Sequence, residues 1–167
     1  MWHKIEALME GHPERLRVVR TLLENGFSLR DEGIYLNDIE VPIVRMAKSA
    51  GVDRRTVDET IRMVENTPDL KTLFSNLRSA GMSLKGVAKQ LGLGVVEIVV
   101  QDPHRPGILA EASQLFSELG ISIRQALVDD PELAPEPKLV LIGDKAVPGE
   151  IVPRLLKIGG VTRVSVS

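Results

Sequence analysis

The chain contains no cysteine and few aromatic residues. Its 167 residues include one Trp, one Tyr and three Phe, so aromatic side chains make up only 3%. The absence of cysteine excludes disulfides, thiolate metal sites and thiol nucleophiles, and it is typical of a reducing compartment. The scarcity of aromatic rings leaves little material for stacking on bases or sugars. The core must therefore be built from Val, Ile, Leu and Met.

The sequence also lacks a long hydrophobic run. No apolar stretch approaches the roughly 20 residues that a membrane-spanning helix needs, and the first residues, MWHKIEALMEGHPERL, are charged. We therefore expect a cytoplasmic protein with no membrane partner. His3 and His12 have no carboxylate or thiolate partner at ligand spacing, so no metal and no cofactor are expected. No Ser/His/acid set and no pair of carboxylates with a shared task is visible, so the sequence predicts that the protein is not an enzyme.

The charge is nearly balanced along the whole chain. Residues 1–93 carry 14 basic and 13 acidic side chains, whereas residues 94–167 carry 7 basic and 10 acidic ones. Neither half has the polybasic character of an obvious nucleic-acid binder.

Apolar residues up to residue 92 recur mostly at helical spacing. The segments HPERLRVVRTLLENG and NTPDLKTLFSNLRSAG predict two helices, the second capped by Thr67 and stopped by Gly81. Between them, DEGIYLNDIEVP predicts a small hairpin around Asn37-Asp38. The segment SLKGVAKQLG predicts a further short helix that ends at Gly92. We assign residues 1–92 to a mainly helical domain.

The most regular pattern in this half is IVRMAKSAGVDRRTVDETIRM, within residues 43–64. Its apolar residues have the spacing that packs two helices across a tight turn, with Gly51 in the turn and Asp53 as the cap of the second helix. The segment resembles the helix-turn-helix of bacterial and archaeal DNA-binding regulators. The resemblance implies contact with double-stranded DNA through Lys48, Arg54, Arg55, Thr56, Glu59 and Arg62.

A helical hairpin that only packs, with these charges as a solvated face, is the alternative for this segment. Residues 42–65 carry five basic and four acidic side chains. Because Asp58 and Glu59 on the second helix repel phosphate, the electrostatic attraction of one copy for DNA is expected to be weak.

The apolar pattern changes at Val95. The segments VVEIVVQD, ISIRQALV, KLVLIGD and VTRVSVS predict strands, and PGILAEASQLFSELG and PGEIVPRLLKIGG predict helices. The order βαββαβ is that of a ferredoxin-like domain over residues 95–167. The fold class is therefore α+β, with a helical domain first and this domain second.

The stretch QDPHRPGILAE, residues 101–111, joins the first of these strands to the first helix. Pro106 and Gly107 permit a sharp turn and leave early helix N–H groups free, which favours an anion at this end of the helix. We expect Asp102 or His104 to hold an amino group of the same ligand from the other side. The stretch predicts a site for a small zwitterion, or a structural corner of a domain that only dimerises.

The segment HRPGILAEASQLFSELGISI is similar to the signature of ACT domains, small regulatory modules that commonly bind amino acids. It departs from that signature at His104, where the family usually has Asp or Asn, and at Ser122, where ligand-binding members often have Asn. In the family these loops often meet across a dimer interface, which implies that Ser122 serves the partner subunit. The resemblance implies that the ligand is bound by Asp102, His104, Arg105, Pro106, Gly107, Ile108, Leu109 and Ser122.

Two further expectations follow from the topology. The loop DDPELAPEP lies at the same end of the sheet as the Pro-Gly turn, either as a lid or as a solvated loop. The sheet is apolar on both faces but has helices for only one of them, so we expect a second subunit or the N-terminal domain on the other face. We expect a homodimer.

The order of the two modules resembles predicted archaeal regulators of amino-acid metabolism. It implies a transcriptional regulator in which a small-molecule effector, an amino acid, alters DNA binding. Two alternatives remain: a module that senses an amino acid and docks on a biosynthetic enzyme, and a regulator whose second domain only dimerises.

Overall fold

A computed structural model of the chain describes residues 2–167. The chain forms two compact units, Met1–Gly81 and Met82–Ser167. The division falls before the boundary predicted at residues 92–95, because residues between 84 and 93 pack on the sheet of the second unit. The predicted fold class is confirmed: a mainly helical part precedes a four-stranded sheet with helices.

The first unit combines helices with a small antiparallel sheet in the order β1-β2-β3. The predicted hairpin at Asn37-Asp38 is confirmed, and Asn37 has a φ of 56°. A third strand precedes this hairpin, joined to it by Asp31 and Glu32 with φ values of 50° and 59°. The elements are α1 (Trp2–Leu8), α2 (Pro13–Asn25), β1 (Phe27–Arg30), β2 (Gly33–Leu36), β3 (Ile39–Val41), α3 (Ile43–Ala50), α4 (Arg54–Glu65) and α5 (Pro68–Asn76).

The helix-turn-helix predicted within residues 43–64 is present as α3, a turn and α4. Gly51 ends α3 with a φ of 65°, a conformation that costs glycine little. Asp53 begins α4, and its Oδ1 accepts the Thr56 N–H at 2.7 Å. The two helices bury apolar side chains at Met46, Ala47, Ala50, Val57, Ile61 and Val64.

Two details of the helix predictions are wrong. Helix α5 ends at Asn76 and not near Gly81, because Leu77 already has an extended backbone. The α-helix predicted for residues 83–92 is instead two short 3₁₀ turns, Lys85–Val87 and Lys89–Leu91. Gly86 disfavours a continuous helix, and the segment follows the sheet surface closely enough to bury Ala88.

The second unit is a four-stranded antiparallel sheet in the order β5-β6-β4-β7, with helices on one face. Strands β4 and β5 both run antiparallel to β6 and are therefore parallel to each other, as expected. The elements are β4 (Gly94–Val100), α6 (Ile108–Glu118), β5 (Ile123–Val128), β6 (Lys138–Gly143), α7 (Ile151–Leu155) and β7 (Val161–Val166).

The two faces of this sheet have different covers. Helices α6 and α7 bury one face around Phe116, which is fully buried. On the other face, Val95, Val140 and Ile142 lie under Leu84, Ala88 and Leu93 of the segment that precedes β4. The Gln125 side chain ties this segment to β5, since its Oε1 accepts the Leu84 N–H at 2.8 Å. The chain itself therefore supplies part of the cover that we expected from another domain or subunit.

Replacing Gly94 by Ala tests the packing at the start of this sheet. A Cβ at Gly94 would lie 2.5 Å from the backbone N of Val147 and 2.8 Å from the carbonyl O of Lys145. Because backbone atoms cannot move aside cheaply, we expect G94A to lower the free energy of unfolding by about 1–3 kcal/mol. Urea unfolding measures this change. The control is G86A, whose Cβ meets nothing within 4 Å; an equal loss of stability in the control would contradict the prediction.

Candidate functional site

The turn from β4 into α6 is built around Gly107. This residue has a φ of 95° and a ψ of −18°, which a side chain would strain. The Glu111 N–H donates to its carbonyl at 2.9 Å, so α6 begins directly after it. No side chain caps this helix. Its first N–H groups therefore lie next to the loop with the positive end of the helix dipole.

The loop before this turn uses Asp102 for its own shape. The Asp102 Oδ1 accepts the backbone N–H of His104 at 2.9 Å, and its carbonyl accepts the N–H of Arg105 at 3.2 Å. Both bonds close a tight turn of the kind that aspartate commonly makes. His104 is exposed at the tip.

A cavity of about 160 Å³ lies between this loop and the connection from β5 to β6. A cavity of about 150 Å³ holds a molecule the size of benzene, so this one has room for a small metabolite. Its wall is mostly apolar, and its charged groups are Arg105, Asp129 and Lys138. The lining residues are Val100, Pro103, Arg105, Gly107, Ile108, Leu109, Val128, Asp129, Pro137, Lys138 and Leu139.

The structure brings together only some of the predicted ligand-binding residues. Arg105, Gly107, Ile108 and Leu109 line the cavity. Asp102, His104 and Pro106 belong to the same loop but are not among the lining residues. The predicted ligand contacts of all these residues remain a prediction.

Ser122 lies at the opposite end of the sheet. It precedes β5, whereas the cavity contacts the last residue of that strand, Val128. The Ser122 N–H donates to Asp144 Oδ1 at 3.1 Å, and its carbonyl accepts the Asp144 N–H at 2.8 Å. Within one chain Ser122 therefore cannot reach the cavity, and its predicted role depends on a second subunit.

Sequence reasoning did not name the part of the lining that comes from β5, β6 and the connection between them. The connection itself was expected at this end of the sheet, which the lining residues Asp129 and Pro137 confirm. It is anchored by reciprocal bonds, because Asp129 N–H donates to the Lys138 carbonyl at 3.0 Å and Asp129 Oδ2 accepts the Lys138 N–H at 3.1 Å. Because β4 and β5 are parallel, both strands end at the same end of the sheet. This predicted topology could have identified the lining residues from β5 and β6.

The comparison with protein families supports the ACT-like domain that the sequence predicts. The family model of the ACT domain matches residues 95–160. No curated protein matches the chain.

Three regulatory proteins are among the solved structures to which this chain is similar. An AsnC family regulator from Agrobacterium tumefaciens is 14% identical, with 92% of this chain and 86% of that one covered, and a TM-score of 0.30. A regulator from Neisseria meningitidis in complex with L-Met is 12% identical, with 92% and 86% covered and a TM-score of 0.28. The leucine response regulatory protein of Mycobacterium tuberculosis is 18% identical, with 92% and 89% covered and a TM-score of 0.28.

The second candidate surface is the exposed side of the helix-turn-helix. Lys48 and Arg62 are exposed, and neither makes an ion pair with another residue of the described range 2–167. The Arg54 and Arg55 side chains are 69% and 87% exposed, but each pairs with an acid one turn later on α4, at 3.6 Å to Asp58 and 2.9 Å to Glu59. Exposed cations without an ion-pair partner in the described range thus occur on both helices.

Thr56 and Glu59 are engaged by α2 and not only by solvent. The Glu59 carboxylate accepts from Arg15 of α2 and from Arg55, both at 2.9 Å. The hydrogen bond from Arg15, followed by that from Arg55, lowers the pKa of Glu59. The Thr56 hydroxyl donates to Glu14 at 3.4 Å. These two residues therefore help to hold α2 against α4.

No helix within residues 2–167 is both long and apolar enough to cross a membrane. The same range contains no cluster of three His, Asp or Glu side chains that could hold a metal ion.

The cap of α4 makes the stability of the first unit depend on pH. The Thr56 backbone N–H lowers the pKa of Asp53 in the folded state, so the stabilisation is complete above the unfolded pKa of about 3.9 and is lost as the pH falls through the lower folded value. We expect D53N, which keeps a capping oxygen, to lose less stability on acidification from about pH 5 to pH 2 than the wild type. Thermal unfolding of both proteins at each pH, followed by circular dichroism, measures this loss of stability. Identical pH profiles for the two proteins would contradict this account.

Proposed function

We propose that this protein is an amino-acid-responsive transcriptional regulator. Its helix-turn-helix binds double-stranded DNA, and an amino acid that binds the cavity beside Gly107 alters that binding. The observation that carries the proposal is the presence, in one chain, of a helix-turn-helix with exposed cations and of a small cavity at the Pro-Gly turn of a domain that matches the ACT model.

The charged residues that line the cavity suit a zwitterion. The lining residue Arg105 and the N-terminus of α6 favour a carboxylate, since both carry N–H donors and positive charge. The carboxylate of Asp129 favours an ammonium group. The apolar residues between these charges suit the side chain of an amino acid.

A homodimer would complete this site. Strand β5 is at the edge of the sheet, and Val128 at its end is 65% exposed. If two copies pair β5 with β5 about a two-fold axis, the strands run antiparallel and the start of one meets the end of the other. The partner's β5 then places its preceding residue beside this cavity, which gives Ser122 the role that its position within one chain excludes.

The proposed regulation needs only a modest difference in affinity. A ligand that prefers one arrangement of the two DNA-binding halves shifts their equilibrium by that preference, typically about 1–3 kcal/mol of coupling. A dimer also doubles the number of cations that one DNA molecule meets, which offsets the weak charge of a single α4.

Thermal unfolding in the presence of each of the 20 amino acids tests the ligand half of the proposal. An amino acid that binds only the folded state should stabilise it by about 2.7 kcal/mol at 100 times its dissociation constant. We expect one or a few amino acids to raise the midpoint of the wild type, and none to raise that of R105A.

The matched control for R105A is K145A, which removes the same charge at the far end of β6 and should respond like the wild type. S122A tests the dimer separately: it should bind more weakly than the wild type only if a partner's Ser122 reaches the cavity. If no amino acid at millimolar concentration raises the unfolding midpoint of the wild type, the ligand half of the proposal is wrong. The turn is then a structural corner.

Binding of a mixed-sequence DNA duplex, measured by fluorescence anisotropy at several salt concentrations, tests the DNA half. Removing one cation that binds a phosphate should reduce the slope of log affinity against log salt by about 1. We expect K48A and R62A to weaken binding and flatten the slope in this way. K71A, which removes a cation from α5, should leave both unchanged.

The rival function, a module that docks on a biosynthetic enzyme, is favoured by one observation. Arg54 and Arg55, the arginines at the start of α4, are already paired with acids of the same helix. A wild type that binds no duplex at low salt, yet is stabilised by an amino acid, would support that rival against the DNA-binding function.

A further inference from the structure

The outer face of α4 carries three charged residues in one row. Arg55, Glu59 and Arg62 each precede a buried apolar residue of the same helix by two positions. Two residues rotate an α-helix by about 200°, so this row lies opposite the core. Arg55 is the second residue of α4, and the first residues of the second helix are those that reach base edges in this motif. Arg55 is thus the member of the row that is best placed to meet a base.

Glu59 holds the guanidinium of Arg55 through a single nitrogen. The Arg55 Nε donates to Glu59 Oε1 at 2.9 Å. Among residues 2–167, no group accepts a hydrogen bond from either Nη atom of Arg55, and the side chain is 87% exposed. The two Nη groups therefore form the open edge of a planar fork. A fork of this kind matches the O6 and N7 acceptors of guanine.

Arg15 of α2 anchors Glu59 from the other side. Its Nη2 donates to Glu59 Oε2 at 2.9 Å, and its side chain is only 27% exposed. Each oxygen of the carboxylate thus has its own arginine, so the carboxylate cannot turn away from Arg55 without losing a bond. Because Arg15 belongs to α2, this support comes from outside the helix-turn-helix.

The balance of charge gives the second arginine a further purpose. With Glu59 alone, the charge of Arg55 would be cancelled where DNA approaches. Two arginines on one carboxylate leave the cluster with a net positive charge. A base edge carries no net charge, so the Glu59 carboxylate does not repel it as it repels a phosphate. The supported Arg55 is therefore better suited to a base than to the DNA backbone.

Arg54 has no comparable support. Its Nε lies 3.6 Å from Asp58 Oδ2, which is beyond hydrogen-bond distance. Within the part of the chain that the structure describes, Asp58 has no second arginine. Arg54 thus provides a matched comparison for Arg55, because it has the same charge on the same helix without a fixed orientation.

We propose that Arg15 is a positioning residue for DNA recognition: through Glu59 it holds Arg55 so that the two Nη groups bind a guanine in the major groove. This inference rests on the proposed function, because it names what the helix-turn-helix recognises. Glu59 acts through Arg55 and does not contact a base itself. A residue of α2 thereby helps to determine the DNA sequence that the protein prefers.

Selection from a library of random DNA duplexes tests the role of Arg55 in the full chain. The selection is run with and without a mixture of the 20 amino acids, because the proposed ligand alters DNA binding. We expect the wild type to enrich sites with a guanine at a constant position, R54K to keep that guanine and R55K to lose it. Lysine retains the positive charge but not the planar fork. An R55K variant that still requires the guanine would overturn the inference.

Replacing the selected guanine by 7-deazaguanine tests the role of Arg15, since this base lacks the N7 acceptor. We expect the replacement to weaken binding of the wild type about tenfold, and that of R15M and E59Q less than about threefold. Methionine keeps an apolar stem at position 15. The effect is a ratio between two duplexes for one protein, so a general loss of stability or of charge does not change it.

The matched control is R20M, which removes the same charge from α2 at a residue that lies over the Trp2 ring. It should keep the full tenfold effect. In the R55K background, R15M should not change the ratio further. A tenfold effect that persists in R15M, or one that R20M loses equally, would overturn the role of Arg15.

Binding of the mixed-sequence duplex separates this inference from the proposed function. A wild type that binds this duplex but enriches no guanine would overturn the role of these arginines and leave the DNA-binding function intact. If the wild type binds no duplex at low salt, the DNA-binding function fails together with this inference.

Discussion

The left-handed conformation of Gly107 is the constraint on which the candidate site depends. With a φ of 95°, this residue lets the chain leave β4 and enter α6 within a few residues. Ile108 then enters the core immediately after the turn, while Leu109 stays at the cavity and Arg105 lies on the other side of the turn. A residue with a side chain at position 107 would have to change this backbone, and the helix start and the cavity wall would move with it.

The second unit shows how one short segment can complete a sheet. Helices cover only one of its two apolar faces, and residues 84–93 lie on part of the other. The ion pair at 2.8 Å between Lys85 and Glu97 fixes this segment over the centre of β4. Farther along the same face, Glu136 pairs with Lys138 and Arg163, so this end of the sheet is charged and not apolar. Residues of the chain itself thus cover much of this face or make it charged. The exposed edge strand β5 is therefore the better candidate for a dimer contact.

Sequence patterns were sufficient for the elements whose signals are local. Gly51 and Asp53 mark the turn and cap of the helix-turn-helix, and the Pro-Gly pair marks the start of α6, so both motifs could be placed from the residues alone. The strand β1 was missed because its turn uses Asp31 and Glu32 at positive φ, where glycine or asparagine is the usual signal. The contact between Arg105 and Gly159 joins residues far apart in the sequence, and no local pattern contains it.

The ion pairs of α4 are a second feature that the sequence pattern alone does not contain, and they bear on function. Acids and bases are nearly equal in number there, which counts against DNA binding if each charge acts alone. In the structure Glu59 is held by Arg15 and Arg55, whereas Lys48 and Arg62 have no acidic partner in the described range. The acids thus neutralise particular arginines near α2 and leave other cations free toward solvent. Because exposed ion pairs of this kind are weak, a phosphate could also compete for Arg54 and Arg55. Affinity should then depend on how many such cations two subunits can present together, which is the quantity that a ligand acting on the dimer would change.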